Sequence, residues 1–153
     1  MLTKDMGSVM KLLPKAVFDD IIKEEIETVN AVKDLGVEII LENVLETEPQ
    51  WLLDIAKDVD DPRLKLCLDI GHVNAYSKIP LMDWLESWAP YLSHFHIHNN
   101  DGSRDQHNAL FEGTVPMEEF LHRAEELCPD ASFTFELMKA EPSMNWLREN
   151  GMI

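Results

Sequence analysis

Hydrophobic and polar residues alternate with a period of two in four short stretches of the chain. In Val37–Glu42 (VEIILE), Val37, Ile39 and Leu41 share one face, and Glu38, Ile40 and Glu42 share the other. In Leu64–Asp69 (LKLCLD), Leu64, Leu66 and Leu68 oppose Lys65, Cys67 and Asp69. Ser93–His98 (SHFHIH) sets Phe95 and Ile97 against His94, His96 and His98, and Ser132–Leu137 (SFTFEL) sets Phe133, Phe135 and Leu137 against Ser132, Thr134 and Glu136. Successive side chains of a strand point to opposite sides. Each stretch therefore predicts a strand with one apolar face and one polar or mixed face.

Between these stretches the spacing shifts to three or four residues. Over 15–35, Phe18, Ile21, Ile22, Ile26, Val29 and Val32 form a helical stripe, with Gly36 where the chain must turn out. Pro49, Pro80 and Pro116 each precede an amphipathic run, and a proline fits a first helical turn because that turn needs no N–H partner. Pro90 should end the second of these helices, and Pro142 should open a short terminal one with Trp146 and Leu147. The order is a helix and then strand–helix four times, which implies parallel strands joined by right-handed crossovers.

Strands of an open sheet covered by helices on both sides would be apolar on both faces. Here one face suits helices and the other suits a polar interior, as in a barrel. The polar faces also end alike. Glu42, Asp69, His96 and Glu136 fall at or near the carboxyl ends of their strands, spaced 27, 27 and 40 residues apart. In β/α barrels that rim is where active sites are built. The expected architecture is α/β, a parallel half barrel of four βα units, forming a single domain over residues 1–153.

Two Glu, one Asp and one His on one rim make an oxygen–nitrogen donor set for a hard or borderline divalent ion. One ion is expected, manganese foremost, with zinc, magnesium or cobalt as alternatives. Without a cation, three crowded carboxylates would repel and take up protons. His72, in the run DIGH, lies just beyond the second strand, and Asp105 and His107 (RDQH) lie in the loop after the third. His94 and His98 share the face of His96, and only one of the three is expected at the height of the metal. His122, on a polar helix face, reads as solvated.

Composition narrows the partners. With 29 acidic and 13 basic residues, the formal charge of −16 disfavours phosphate backbones and anionic lipid, so neither nucleic acid nor membrane is expected. No apolar run approaches the roughly 18–20 residues of a membrane span. The N-terminal MLTKDMGSVMKLLPK lacks the features of a secretion signal. Cys67 and Cys128 lack paired spacing and read as reduced, buried thiols, so a cytoplasmic protein is expected.

The runs LENV at Glu42, LDIGH through Asp69 and His72, HIHNNDGSRDQHNALFEGTVP, and FEL at Glu136 resemble the xylose isomerase-like barrel superfamily. That group includes sugar isomerases and epimerases of the tagatose 3-epimerase type, and the endonuclease IV group. The resemblance covers about residues 15–140 and implies that Glu42, Asp69, His96 and Glu136 are the family's metal set, from its last four strands. It implies that His72 faces the substrate, or a second metal in the endonuclease-like members. Asp105 and His107 match the D-x-H ligands of multi-zinc members, a pair that sugar-acting relatives share as substrate-side residues. Asn99 departs from the usual Asp after H-x-H, and Phe111 from the first Gly of the usual G-x-G.

The function implied is a divalent-metal-dependent sugar isomerase or epimerase. It would act on a small sugar or hydroxy-carbonyl by enediolate-type proton transfer, with Glu42 and Glu136 as acid and base. The competing expectations are an endonuclease IV-like zinc phosphodiesterase and a non-catalytic barrel fragment that binds metal or a partner. Barrels of this family have eight strands, so the expectation is completion by a homodimer or by an N-terminal half-barrel partner, with a truncated product as the remaining alternative.

Overall fold

The computed structural model describes residues 15–153, so the N-terminal run read above for a secretion signal lies outside the described residues, as does the Phe18 side chain. The long helical stripe forms α1 (Lys15–Ala31). After it come β1 (Ile39–Glu42), α2 (Gln50–Val59), β2 (Leu64–Asp69), α3 (Ile70–Tyr76) and α4 (Leu81–Trp88). A 3-10 turn, Ala89–Tyr91, leads into β3 (Leu92–Ile97), α5 (Met117–Leu127), β4 (Ser132–Phe135) and α6 (Glu141–Glu149).

The four strands form one sheet in the order β1-β2-β3-β4, every pair parallel. The register pairs Glu42 with Cys67, Asp69 with His96, and His96 with Thr134. This lines up the polar faces and brings the strand ends to one rim. A register shift at Leu66/Cys67 adjusts β2 to β3.

The apolar faces pack outward on the helices. Leu66, Leu68, Phe95 and Ile97 meet Trp84, Leu85 and Trp88 of α4 and Phe120 and Ala124 of α5. Phe95 and Phe120 lie edge to face at 5.5 Å, as do Trp84 and Trp88 at 5.1 Å, the arrangement ring quadrupoles favour. Buried indole N–H groups need acceptors. Trp84 Nε1 finds Ser77 Oγ at 3.0 Å, and Trp88 Nε1 finds the Pro49 carbonyl at 2.9 Å. A smaller cluster of Val29, Ile55 and Leu64 seats α1 beside α2.

Pro49, Pro80 and Pro116 each immediately precede a helix, as their positions predict. Pro142 instead sits inside the first turn of α6, which opens at Glu141. The first helix ends at Ala31, before the predicted 35, and Gly36 takes the left-handed φ of +67° that leads to β1. The edges of the sheet differ from its centre. Ile40 on β1 and Phe133 on β4 are each 41% exposed, whereas Leu66 and Phe95 are fully buried. No helix among the described residues is long and apolar enough to cross a membrane.

Candidate metal centre

Glu42 ends β1, Asp69 ends β2, His96 is the penultimate residue of β3, and Glu136 follows β4. The backbone N–H of Glu136 still donates to the Ile97 carbonyl at 3.3 Å, which keeps it in line with the sheet. Ligand atoms of all four lie within 4.8 Å of one another. His96 Nδ1 is the hub. It stands 3.1 Å from Glu42 Oε1, 3.5 Å from Glu136 Oε1 and 3.9 Å from Asp69 Oδ2. Glu42 and Glu136 reach it from the two opposite edges of the sheet.

Asp69 is fully buried and held at both its backbone and its carboxylate. The Asn43 side chain accepts from the Asp69 N–H at 2.8 Å and donates to the Asp69 carbonyl at 2.9 Å. Asp69 Oδ1 accepts from the backbone N–H of His72 at 2.8 Å, so the same side chain caps α3. Burial works against its charged form. The hydrogen bond from His98 and the nearby His98 and His72 rings outweigh burial and hold the carboxyl below its usual range.

A second group forms beside the first: His72, His98, Asp105 and His107, again within 4.8 Å. Two of its rings have a fixed orientation. His72 Nδ1 donates to the Asn43 carbonyl at 2.8 Å and His107 Nδ1 donates to the Glu136 carbonyl at 2.8 Å. Their Nε2 atoms then face Asp105 Oδ2, at 3.3 and 2.8 Å. In a neutral imidazole that leaves a lone pair against a carboxylate, an arrangement that needs a proton or a cation between. Metal-binding histidines commonly donate their other N–H to a backbone carbonyl in this way. His98 Nδ1 and Asp105 Oδ1 are buried without hydrogen-bond partners among the described residues and face each other at 3.6 Å. His107 also has a left-handed φ of +50°, a strained value for a non-glycine residue. Burial lowers the His107 pKa, but the Glu136 carbonyl and Asp105 together raise it above the usual value.

The three histidines of one strand face thus occupy three levels. His96 joins the four-residue group, and His98, just past β3, joins the second. His94 sits deeper, between Ser132 Oγ at 2.6 Å and Thr134 Oγ1 at 2.9 Å. It also lies with His96 beside Cys67. Burial first, then the charges of Glu42 and Asp69, push the Cys67 thiol far up, which keeps it protonated. Both cysteines are free and buried.

The donor sets fit cations. Three carboxylates and an imidazole suit a hard or borderline ion, and three imidazoles with one carboxylate suit a softer one such as zinc. Sequence reasoning singles out His72, Asp105 and His107, and the structure brings them together. It passes over the roles of Asn43 and His98. The available signals are the amide that follows Glu42 in LENV and the position of His98 on the same face as His96.

One departure in the β3–α5 loop has a local reason. Asn99 Nδ2 donates to the Leu110 carbonyl at 2.7 Å while Asn99 Oδ1 accepts from Asn100 N and Val115 N at 2.9 and 3.0 Å. An aspartate could make only the accepting bonds. A Cβ on Gly113 would collide with Asn99 Oδ1, so that glycine is required, whereas Phe111 is 47% exposed and tilts over Trp146 at 6.4 Å.

Residues 7–150 match the family model described as xylose isomerase-like TIM barrel. The uncharacterized protein MJ1311 of Methanocaldococcus jannaschii is 33% identical over 117 residues, covering 72% of this chain and 40% of that protein. Among solved structures, a D-tagatose 3-epimerase-like protein superposes with a TM-score of 0.78 at 28% identity, covering 89% of this chain and 55% of that one. The TTHB071 protein of Thermus thermophilus, soaked with ZnCl2, superposes with a TM-score of 0.68 at 24% identity, covering 90% and 55%. The chain thus spans about half the length of these relatives, and its described residues form four parallel βα units. It belongs to the xylose isomerase-like TIM barrel family.

Proposed function

We propose that the chain supplies the metal-binding half of a divalent-cation-dependent sugar isomerase or epimerase. One observation carries this reading: two glutamates from opposite edges of the sheet, Glu42 and Glu136, face one imidazole nitrogen of His96 with Asp69 beneath. Glu42, Asp69, His96 and Glu136 would hold the ion, manganese being the first choice for such an oxygen-rich set. A cation there would polarise the carbonyl and adjacent hydroxyl of a hydroxy-carbonyl substrate, making the neighbouring C–H more acidic. Glu42 and Glu136 are placed to take that proton and return one, each at a carboxylate oxygen. His72, Asp105 and His107 line the adjoining side, where their rings and carboxylate can hydrogen-bond substrate hydroxyls. Similarity to a D-tagatose 3-epimerase-like protein supports this class of reaction.

The test is deuterium exchange. With manganese(II) and a panel of small ketoses in D2O, NMR should show deuterium entering next to the carbonyl. Glu42→Gln and Glu136→Gln should each lower exchange about 10²–10⁴-fold while melting as the unaltered chain does. Undiminished exchange in both variants would refute the assignment.

The second reading is hydrolysis of a phosphodiester at more than one ion. The His72, His98, Asp105 and His107 group favours it, because its unpartnered buried atoms fit a second cation. The charge of −16 argues against a nucleic-acid substrate. Metal analysis separates the readings: one ion per chain for the first, two or more for the second. In either case a partner is proposed, a second copy or an N-terminal half barrel, because among the described residues β1 and β4 each pair on one side only.

A further inference from the structure

His98 is fully buried, and the proposed isomerase or epimerase chemistry does not use it. Four neighbours fix its ring. His107 lies parallel at 4.1 Å with 9° between the planes, and His72 stands edge-on at 6.0 Å. Gly71 leaves room for the ring, since a Cβ there would collide with His98 Cε1. On the fourth side, Nε2 lies 3.1 Å from Asp69 Oδ1 and 3.3 Å from Oδ2. A ring packed this closely is held for its direction, and it points at the one fully buried carboxylate of the four-residue group.

The direction has a chemical consequence. Asp69 Oδ1 accepts from two donors, the backbone N–H of His72 at 2.8 Å and His98 Nε2 at 3.1 Å. His98 Nε2 also reaches Oδ2 at 3.3 Å, so the ring clamps both carboxylate oxygens, with Oδ2 lying 3.9 Å from His96 Nδ1. Without the imidazole donor, the carboxylate would be held at Oδ1 by the His72 N–H alone, and Oδ2 would lose its 3.3 Å contact to the ring. The same ring stands between Asp69 and Asp105, with Nδ1 3.6 Å from Asp105 Oδ1, and so keeps the carboxylates of the two groups apart.

We propose that His98 is a positioning residue: its Nε2–H, shared between the two oxygens of Asp69, fixes the orientation in which that carboxylate is presented to the cation, and its ring separates the two ligand groups. This rests on the reading that Glu42, Asp69, His96 and Glu136 hold a cation, and it adds a residue that touches neither ion nor substrate there. Outer-shell partners of metal ligands typically account for about 10–100-fold in metal affinity.

The experiment is a manganese(II) titration of the purified chain followed by electron paramagnetic resonance, with melting of the metal-free chain as the folding control. Binding at the four-residue group is identified as the event lost in Glu136→Gln. His98→Gln can keep an N–H near the Nε2 position, whereas His98→Asn falls short of Asp69. The expected result is a loss of about 10–100-fold in affinity for His98→Asn, a broadened manganese spectrum, and recovery of most of that affinity in His98→Gln. Unchanged affinity in His98→Asn would overturn the proposal, as would equal losses in both variants, which would mark the ring as packing alone. An unaltered chain that binds no manganese at this group would instead overturn the functional reading and take this proposal with it.

Discussion

Asn43 shows how one buried amide can set a site without touching its chemistry. It bonds both backbone polar groups of Asp69 and, through its own carbonyl, orients His72. Asn43→Ala leaves the Asp69 N–H and carbonyl buried and unpaired, at about 1–3 kcal/mol for each such group. Urea denaturation should show that loss as a lower midpoint with little change in slope. Gly71→Ala forces a Cβ onto the His98 ring, an overpacking that typically costs about 1–3 kcal/mol. Adding His98→Ala should recover part of the loss, since residues in contact couple. At this scale the sequence is legible where period-2 alternation decides. That Glu42, Asp69, His96 and Glu136 meet on one rim follows from face and strand end alone. The place of His98 does not, because alternation gives the face of a side chain but not its height along the barrel. Only the ring stack with His107 and the loop that carries Asp105 reveal which level His98 serves.

Elements of this chain are readable where their pattern runs long enough. The starts at Pro49, Pro80 and Pro116 follow from a residue with no N–H to satisfy. α3 escapes a reading of the pattern, because seven residues give too few turns for a 3.6-residue period to show. It exists because Asp69 caps it, so strand end, helix cap and site carboxylate are one residue. In the β3–α5 loop the sequence shows two departures from the family pattern without their cause. The structure gives the reason for Asn99 in the bond that its amide donates, and nothing in it explains Phe111. The outer layer supports this rim through Phe120, fully buried against Phe95 one residue from His96. Phe120→Ala should cost about 3–5 kcal/mol, measured by thermal or chemical denaturation. The ring stack between Phe95 and Phe133 places the exposed β4 edge on the same core.

The described residues form four parallel βα units, and the chain spans about half the length of the relatives it matches. Among the described residues, β1 and β4 each have one unpaired edge, and unpaired edges of parallel strands are seldom left to water. Completion of the sheet by a second copy or by an N-terminal half barrel predicts an assembly larger than one chain in native mass spectrometry. A charge of −16 on each chain opposes self-association. If the partner is a second copy, added salt should strengthen the assembly by screening that repulsion. A folded chain that stays monomeric across salt concentrations would contradict the proposed completion. The half-barrel architecture is legible from one-sided strands in a βα order. The partner is not, because a sequence shows that an edge is open and gives no sign of what covers it.

The most direct test of the central claim is anomalous diffraction from crystals grown with manganese(II). A peak should lie within direct-bond reach, about 2.0–2.6 Å, of carboxylate oxygens of Glu42, Asp69 and Glu136 and of His96 Nδ1. Density there occupied by water alone, or a peak confined to His72, His98, Asp105 and His107, would contradict it.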